Sequence, residues 1–352
     1  MKTMTRALTI LSLAAVAGCG GAANRSTTAN EDDATITVTA AGATFPAPLY
    51  TKWFHDYGLR RSVQINYQPI GSGGGIRQVL AGTVDFGASD MPMTDEQLAT
   101  ASVKILHFPT VLGAVVPTYR VAGVSGDLRF TPAALAGIFL GRITKWNDPA
   151  IANANAGVHL PDADIVVVHR SDGSGTTFVW TDYLSKVSPE WLEKVGRNTS
   201  VNWPAGLGGK GNDGVAALVK QTPNSIGYVE LIYAVQNSLG YGAVQNAAGT
   251  FVKATVSSVT AAAAAAAASM PADFRVSITN PSGAGAYPIC SFTWLLVPVH
   301  MRDARRAQAV VTFLNWMLAD GQAMAEPLSY APLPAAVIAQ EKQAVSQIRV
   351  GS

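Results

Sequence analysis

At 352 residues the chain is too long for one ordinary core and suits two domains. Hydrophobic residues make up 48% and charged residues 14%, so a large buried core is expected. The formal charge is +2, and setting aside Lys2 and Arg6 with a leader segment leaves 23 basic against 23 acidic residues, which excludes a broad positive field for nucleic acid. Any anion bound here is held by local dipoles and one or two charges.

Residues 1–6 carry Lys2 and Arg6, and residues 7–17 form a short apolar run that ends in small residues. The run is too short to span a bilayer, and residues 1–18 read as an export signal. Val16-Ala17-Gly18-Cys19 resembles the lipobox of bacterial lipoproteins. That resemblance implies a lipoprotein signal peptide, with Cys19 acylated (palmitate) and holding the mature protein to a membrane outside the cytoplasm. An ordinary cleaved signal with an incidental cysteine is the alternative. Residues 19–34 lack apolar periodicity and read as a flexible tether. With Cys19 lipidated, Cys290 has no disulfide partner and is expected to be a small buried apolar residue.

Residues 34–39 alternate and are β-branched, which predicts a strand. Thr44-Phe45-Pro46 follows a turn of small residues, and Pro46 fits the first turn of a helix over residues 47–57. Residues 63–68 predict a second strand. It runs into the glycine-rich turn at residues 71–75 and a helix over residues 76–81. Residues 84–88 predict a short strand that ends at Ser89-Asp90. This alternation argues for an α/β fold with a largely parallel sheet. Thr131-Pro132 supplies an N-cap and a first helical position, for a helix running to about Leu140 and stopping at Gly141. Residues 226–229 predict a strand. The eight alanines at residues 261–268 predict a surface helix, and residues 307–318 an amphipathic packing helix.

The most informative stretch is Arg170-Ser171-Asp172-Gly173-Ser174-Gly175-Thr176. It follows an apolar strand over residues 165–168 and precedes a helix opening at Thr177. A strand emptying through Gly, Ser and Thr into a helix start points N–H groups and hydroxyls at one place, which suits an anion. Arg170 adds a planar charged fork, and Asp172 is placed to hold it in one orientation. A Gly/Ser turn with a surface Arg–Asp pair accounts for the same letters. Three further segments share this character. Thr44-Phe45 lies just before a helix, Ser72 lies in a glycine-rich turn, and Asp90 ends a strand where open α/β sheets place ligand groups.

These segments resemble the phosphate-binding protein family of bacterial Pst-type phosphate ABC transporters, whose members are solute-binding proteins. The resemblance covers nearly all of the mature chain. It runs through residues 41–48, 71–75, 84–90, 170–176, 206–214 (Gly-Leu-Gly-Gly-Lys-Gly-Asn-Asp-Gly) and 226–230. It implies a two-lobed periplasmic-binding-protein fold of type II, each lobe a mixed, mostly parallel sheet flanked by helices. Lobe I is then residues 35–111 plus 286–352, and lobe II is residues 112–285, joined by crossover strands. The implied phosphate ligands are Thr44, Phe45, Ser72, Asp90, Arg170, Ser174, Gly175 and Thr176, with Asp172 supporting Arg170. Asp90 is the family's single carboxylate acceptor in the site. The chain departs from the family at Gly73, where relatives often carry a second Ser, and at His169, where they often have another basic residue. By strand alternation His169 points away from the site.

The implied function is high-affinity binding of inorganic phosphate outside the inner membrane and delivery to the permease subunits of an ABC importer. A monomer is expected, with no cofactor, no metal and no nucleic acid. A binder of another protonatable oxyanion, or a phosphate sensor or scaffold without a transport role, is the alternative. A hydrolase is disfavoured. Neither Ser72 nor Ser174 lies in a G-x-S-x-G elbow, Gly209-Lys210 is not a P-loop, and the five histidines show no metal-ligand spacing. Tyr228 and Glu230 read as stabilising the second lobe.

Overall fold

β-branched residues alternate from Ile36 onwards, and Ile36–Gly42 is the first strand, β1. A computed structural model describes residues 35–350 apart from 125, 268 and 269. The export signal, Cys19 and the tether lie outside the described residues. After β1 come α1 (Ala47–Arg60), β2 (Val63–Pro69), α2 (Ser72–Ala81), β3 (Phe86–Ser89), α3 (Asp95–Ala99) and the long β4 (Ile105–Arg120). Next are β5 (Arg129–Phe130), α4 (Pro132–Phe139), α5 (Pro149–Ala152), β6 (Val166–Arg170), α6 (Gly175–Val187) and α7 (Pro189–Lys194). β7 (Leu207–Gly209), α8 (Gly211–Gln221), β8 (Ser225–Glu230), α9 (Leu231–Gln236), β9 (Gly240–Tyr241), β10 (Ala243–Gln245) and β11 (Phe251–Val252) follow. α10 (Val256–Ala267), β12 (Cys290–Pro298), α11 (Ala304–Met317) and α12 (Ala335–Val345) complete the order.

Among the described residues, nine strands join in one sheet, ordered β2-β1-β3-β12-β4-β8-β6-β7, with β9 also beside β4. The flanks are parallel: β1 pairs β2 and β3, and β6 pairs β7 and β8. The centre is antiparallel, where β12 pairs β3 and β4, and β4 pairs β8. The sheet is therefore mixed, parallel only in its flanks. β4 changes partner along its length. Residues 105–114 bond β12, and residues 115–120 bond β8. All but the last residue of β4 is buried, so the strand offers no polar alternation from which its pairing can be read.

Helix α4 is capped as expected. Ala134 N donates to Thr131 Oγ1 at 3.1 Å, and Gly141 turns the chain away at φ 71°. In α1, Leu49, Tyr50, Trp53, Phe54 and Tyr57 are buried, the spacing of one helical face. Phe54 meets Tyr67, Phe86 and Phe313 of α11, with ring centroids 5.3–6.3 Å apart. The alanine helix α10 is not purely a surface element, because Ala262 and Ala263 are fully buried. Cys290 is buried and unpaired.

Helix α2 starts at Ser72, so the glycine-rich turn is the helix's own first turn rather than a loop before it. The reason is packing. A Cβ on Gly75 would lie 2.6 Å from Gly42 Cα and 2.7 Å from the Ala88 carbonyl, so only glycine lets α2 rest directly on β1 and β3. Residues 271–275 bond to the β1–β3 side of the molecule. Arg275 Nη1 donates to Met93 O at 3.0 Å, Trp294 Nε1 to Phe274 O at 3.0 Å, and Gln340 Nε2 to Pro271 O at 3.2 Å. Just beyond, Ser277 and Thr279 donate to Asp182 of α6 at 2.6 and 2.5 Å.

Candidate functional site

Three helix starts meet at one place. Thr44 and Phe45 lie just before α1, Ser72 opens α2, and Ser174 caps α6 by accepting from Thr177 N at 3.0 Å. The first N–H groups of a helix have no intrahelical partner, and they sit at its positive dipole end. Phe45, Ser72, Ser174 and Thr176 are fully buried, Asp90 is 1% exposed and Arg170 3%. The convergence is tight. A Cβ on Gly175 would lie 2.3 Å from Ser72 Oγ and 2.5 Å from Asp90 Oδ2, so no side chain fits between α6 and the β3 end.

Arg170 is not a surface residue. Its Nε donates to Asp172 Oδ1 at 2.8 Å and its Nη2 to Oδ2 at 2.5 Å, a bidentate fork that leaves the remaining N–H groups for the site. Nη1 donates to Thr176 Oγ1 at 3.2 Å. Asp172 Oδ1 also accepts from Gly211 N at 3.0 Å. Burial pushes the Asp172 carboxyl up, but the hydrogen bonds and charge of Arg170 outweigh that and hold it below its ordinary value. Asp172 is thus a committed counter-charge.

Asp90 is the opposite case. Burial pushes its carboxyl up to about 7, against the lowering by Thr293, Arg170 and Ser72. Thr293 Oγ1 donates to Oδ1 at 2.8 Å, and Asp90 N donates to Ser72 Oγ at 3.1 Å. Oδ2 has only a long contact to Ser72 Oγ, at 3.4 Å, and it faces the Gly175 turn. This oxygen is the acceptor turned toward the helix starts.

Thr44, Phe45, Ser72, Asp90, Arg170, Asp172, Ser174, Gly175 and Thr176 fall in this one region, Cys19 lies outside the described residues, and three more residues build the site. Asn212, fully buried at the start of α8, donates through Nδ2 to Thr44 Oγ1 at 2.9 Å and Thr176 Oγ1 at 3.0 Å. Thr293 fixes Asp90 from β12, 203 residues away in sequence. Tyr228 accepts from Arg170 N at 3.1 Å and pairs with Thr177 Oγ1 at 2.6 Å, so it supports the Arg170–Thr176 loop directly. Asn212 lies inside the glycine-rich segment at residues 206–214, a signal that marked the segment but not the residue. His169 stacks on Trp203 at 4.8 Å. At Gly73, N donates to Gly173 O at 2.9 Å, and a Cβ would meet Gly173 Cα at 3.2 Å, so a larger residue would crowd the crossing.

The PBP superfamily domain matches residues 26–321. The phosphate-binding protein PstS of Xylella fastidiosa is 49% identical over 311 residues, covering 88% of this chain and 85% of that protein. PstS of Pasteurella multocida is 48% identical over 303 residues, covering 86% and 88%. The chain belongs to the PstS family. Among solved structures, a high-affinity periplasmic phosphate-binding protein, PfluDING, superposes with a TM-score of 0.70 at 24% identity, covering 88% of this chain and 93% of that one. A phosphate-binding protein from Stenotrophomonas maltophilia gives 0.67 at 20% identity, covering 87% and 93%. At such identities the structural likeness concerns the fold, and PstS membership rests on the sequence relatives.

Proposed function

We propose that this chain binds inorganic phosphate and delivers it to the permease of an ABC importer, as a binding protein rather than an enzyme. Thr44, Phe45, Ser72, Arg170, Ser174, Gly175 and Thr176 donate to the anion, and Asp90 accepts from it. Thr44, Phe45, Ser72 and Asp90 belong to lobe I, residues 35–111 plus 286–352. The others belong to lobe II, residues 112–285, and phosphate between the lobes stabilises closure. Cys19 carries the lipid that holds the protein to a membrane outside the cytoplasm. Among the described residues no helix is long and apolar enough to cross a membrane.

The observation that carries this reading is Asp90, a buried carboxylate set against the starts of α2 and α6 with one oxygen already hydrogen-bonded to Thr293. Near neutral pH phosphate keeps at least one hydrogen to give that acceptor, whereas sulfate has none. Acceptor facing acceptor in a dry site costs roughly 1–3 kcal/mol, about ten- to a hundredfold in affinity. Selection thus works by a repulsive element rather than by cavity size. Calorimetric titration of the lipid-free protein at about pH 8 tests this. Phosphate is expected to bind with sulfate at least tenfold weaker, and indifference to phosphate at roughly millimolar levels overturns the reading.

A further inference from the structure

Asn212 decides where the hydrogens of two site hydroxyls point. Glu230 N donates to its Oδ1 at 2.9 Å. A backbone N–H only gives a hydrogen, so the atom facing it is oxygen and the amide nitrogen faces the other way. The two hydrogens on that nitrogen go to Thr44 Oγ1 at 2.9 Å and Thr176 Oγ1 at 3.0 Å. Each threonine oxygen accepts a second time. Thr44 Oγ1 takes Asn212 N at 3.2 Å, and Thr176 Oγ1 takes Arg170 Nη1 at 3.2 Å. A hydroxyl oxygen has two lone pairs and one hydrogen. With both lone pairs engaged, each threonine has only its hydrogen left to offer.

We infer that Asn212 is a positioning residue that makes Thr44 and Thr176 obligate donors toward the bound oxyanion. The inference deepens the phosphate reading and rests on it. A free hydroxyl turns either way and accepts as readily as it donates. Here the turning is removed by the protein's own hydrogen bonds rather than by the ligand, so the site is committed to bare oxygens at two positions and to one hydrogen, at Asp90 Oδ2. Asn212 reaches Thr176 on its own side of the site and Thr44 on the other, 36 and 168 residues away in sequence, so the Thr44 hydroxyl is set only when the two sides of the site are together.

The test is a double-mutant cycle read by calorimetric titration with inorganic phosphate. Wild type, Asn212→Ala, Thr44→Val, Thr176→Val and each Asn212→Ala double variant are compared. Asn212→Ala is expected to weaken binding about ten- to a hundredfold and each valine variant about tenfold. In the doubles the losses fall short of their product by at least about fivefold, because the valine removes the group through which Asn212 acts. Losses that multiply to within about twofold overturn the inference. Should Asn212→Ala fail to fold, Asn212→Asp carries the same cycle, since its charge against the anion cancels between single and double. Its carboxylate draws both hydroxyl hydrogens away from the ligand, so adding either valine should then change affinity little. Full wild-type valine effects in that background overturn the inference. Failure of the wild type to bind phosphate at all is a different result, and it removes the function instead.

Discussion

Asp90 stands between two protonation states, and two pH-dependent properties follow. Its carboxyl is pushed up to about 7 from an ordinary 3.8. In the protein without ligand, the folded state therefore keeps a proton between those values that the unfolded chain releases. The stability from that proton is full below pH about 4 and is lost as the pH rises through about 7. Asp90→Asn stays neutral throughout, so its stability relative to wild type should rise by roughly 2–4 kcal/mol from pH 4 to pH 8 in denaturant titrations. A gap that stays flat with pH shows that Asp90 does not titrate in that window. The second property is selectivity. Sulfate fits this site best when Asp90 itself carries the hydrogen, so its affinity should fall ten- to a hundredfold in all over about one to two pH units above about 7 and level off on either side. Asp90→Asn should abolish that slope and narrow the gap between phosphate and sulfate by ten- to a hundredfold. Equal sulfate slopes in both proteins would sink this account of selectivity.

The helix starts work as a unit because glycine lets them touch. Gly175→Ala places a methyl 2.3 Å from Ser72 Oγ and 2.6 Å from Asp90 Cβ, so α6 and α2 must part. The expected cost is about 1–3 kcal/mol of stability and at least a tenfold loss of phosphate affinity. Gly285→Ala, which meets nothing within 4 Å, should stay within about 0.5 kcal/mol of wild type. Similar effects of the two in thermal melts and titrations would contradict the crowding argument. Much of this arrangement was legible in the chain. The Thr131-Pro132 cap, the strand ends and the Arg170–Thr176 loop are local signals, and the structure draws the loop to Thr44, Ser72 and Asp90. What stayed hidden depends on distant neighbours. The start of α2 at Ser72 reflects the fit of Gly75 on β1 and β3, which overrides the loop preference of a glycine run. Two alanines of α10 are buried by tertiary contact that their propensity does not encode. Thr293 sits in a wholly buried strand, where nothing local marks it as the partner of Asp90. Asn212 has meaning only once two loops are known to meet.

At the scale of the whole molecule, the sheet runs unbroken through β4, which bonds β12 with one stretch and β8 with the next. Residues 271–279 make a further crossing, tied by Arg275 to Met93 O on one side and by Thr279 to Asp182 on the other. On the proposed two-lobe division, relative movement would be confined to these strand positions and to residues 271–279, and the proposed site would take groups from both sides. A ligand shifts such an equilibrium only by the difference in its affinity for the two arrangements. Phosphate that contacts Ser72 and Asp90 alone gains little from closure, and phosphate that also contacts Arg170 and the α6 start gains a great deal. Saturating phosphate should therefore reduce the radius of gyration of the wild type in small-angle scattering, and sulfate at the same concentration should do so less. Arg170→Ala should bind phosphate at least a hundredfold more weakly. Even at concentrations that fill its site, it should contract less than wild type, because the main contact on the second side is gone. Equal contraction of the two proteins would mean that closure does not depend on Arg170. No contraction in wild type would mean that the two sides are already held together by residues 271–279 and by Asn212, with phosphate entering a site that is set in advance.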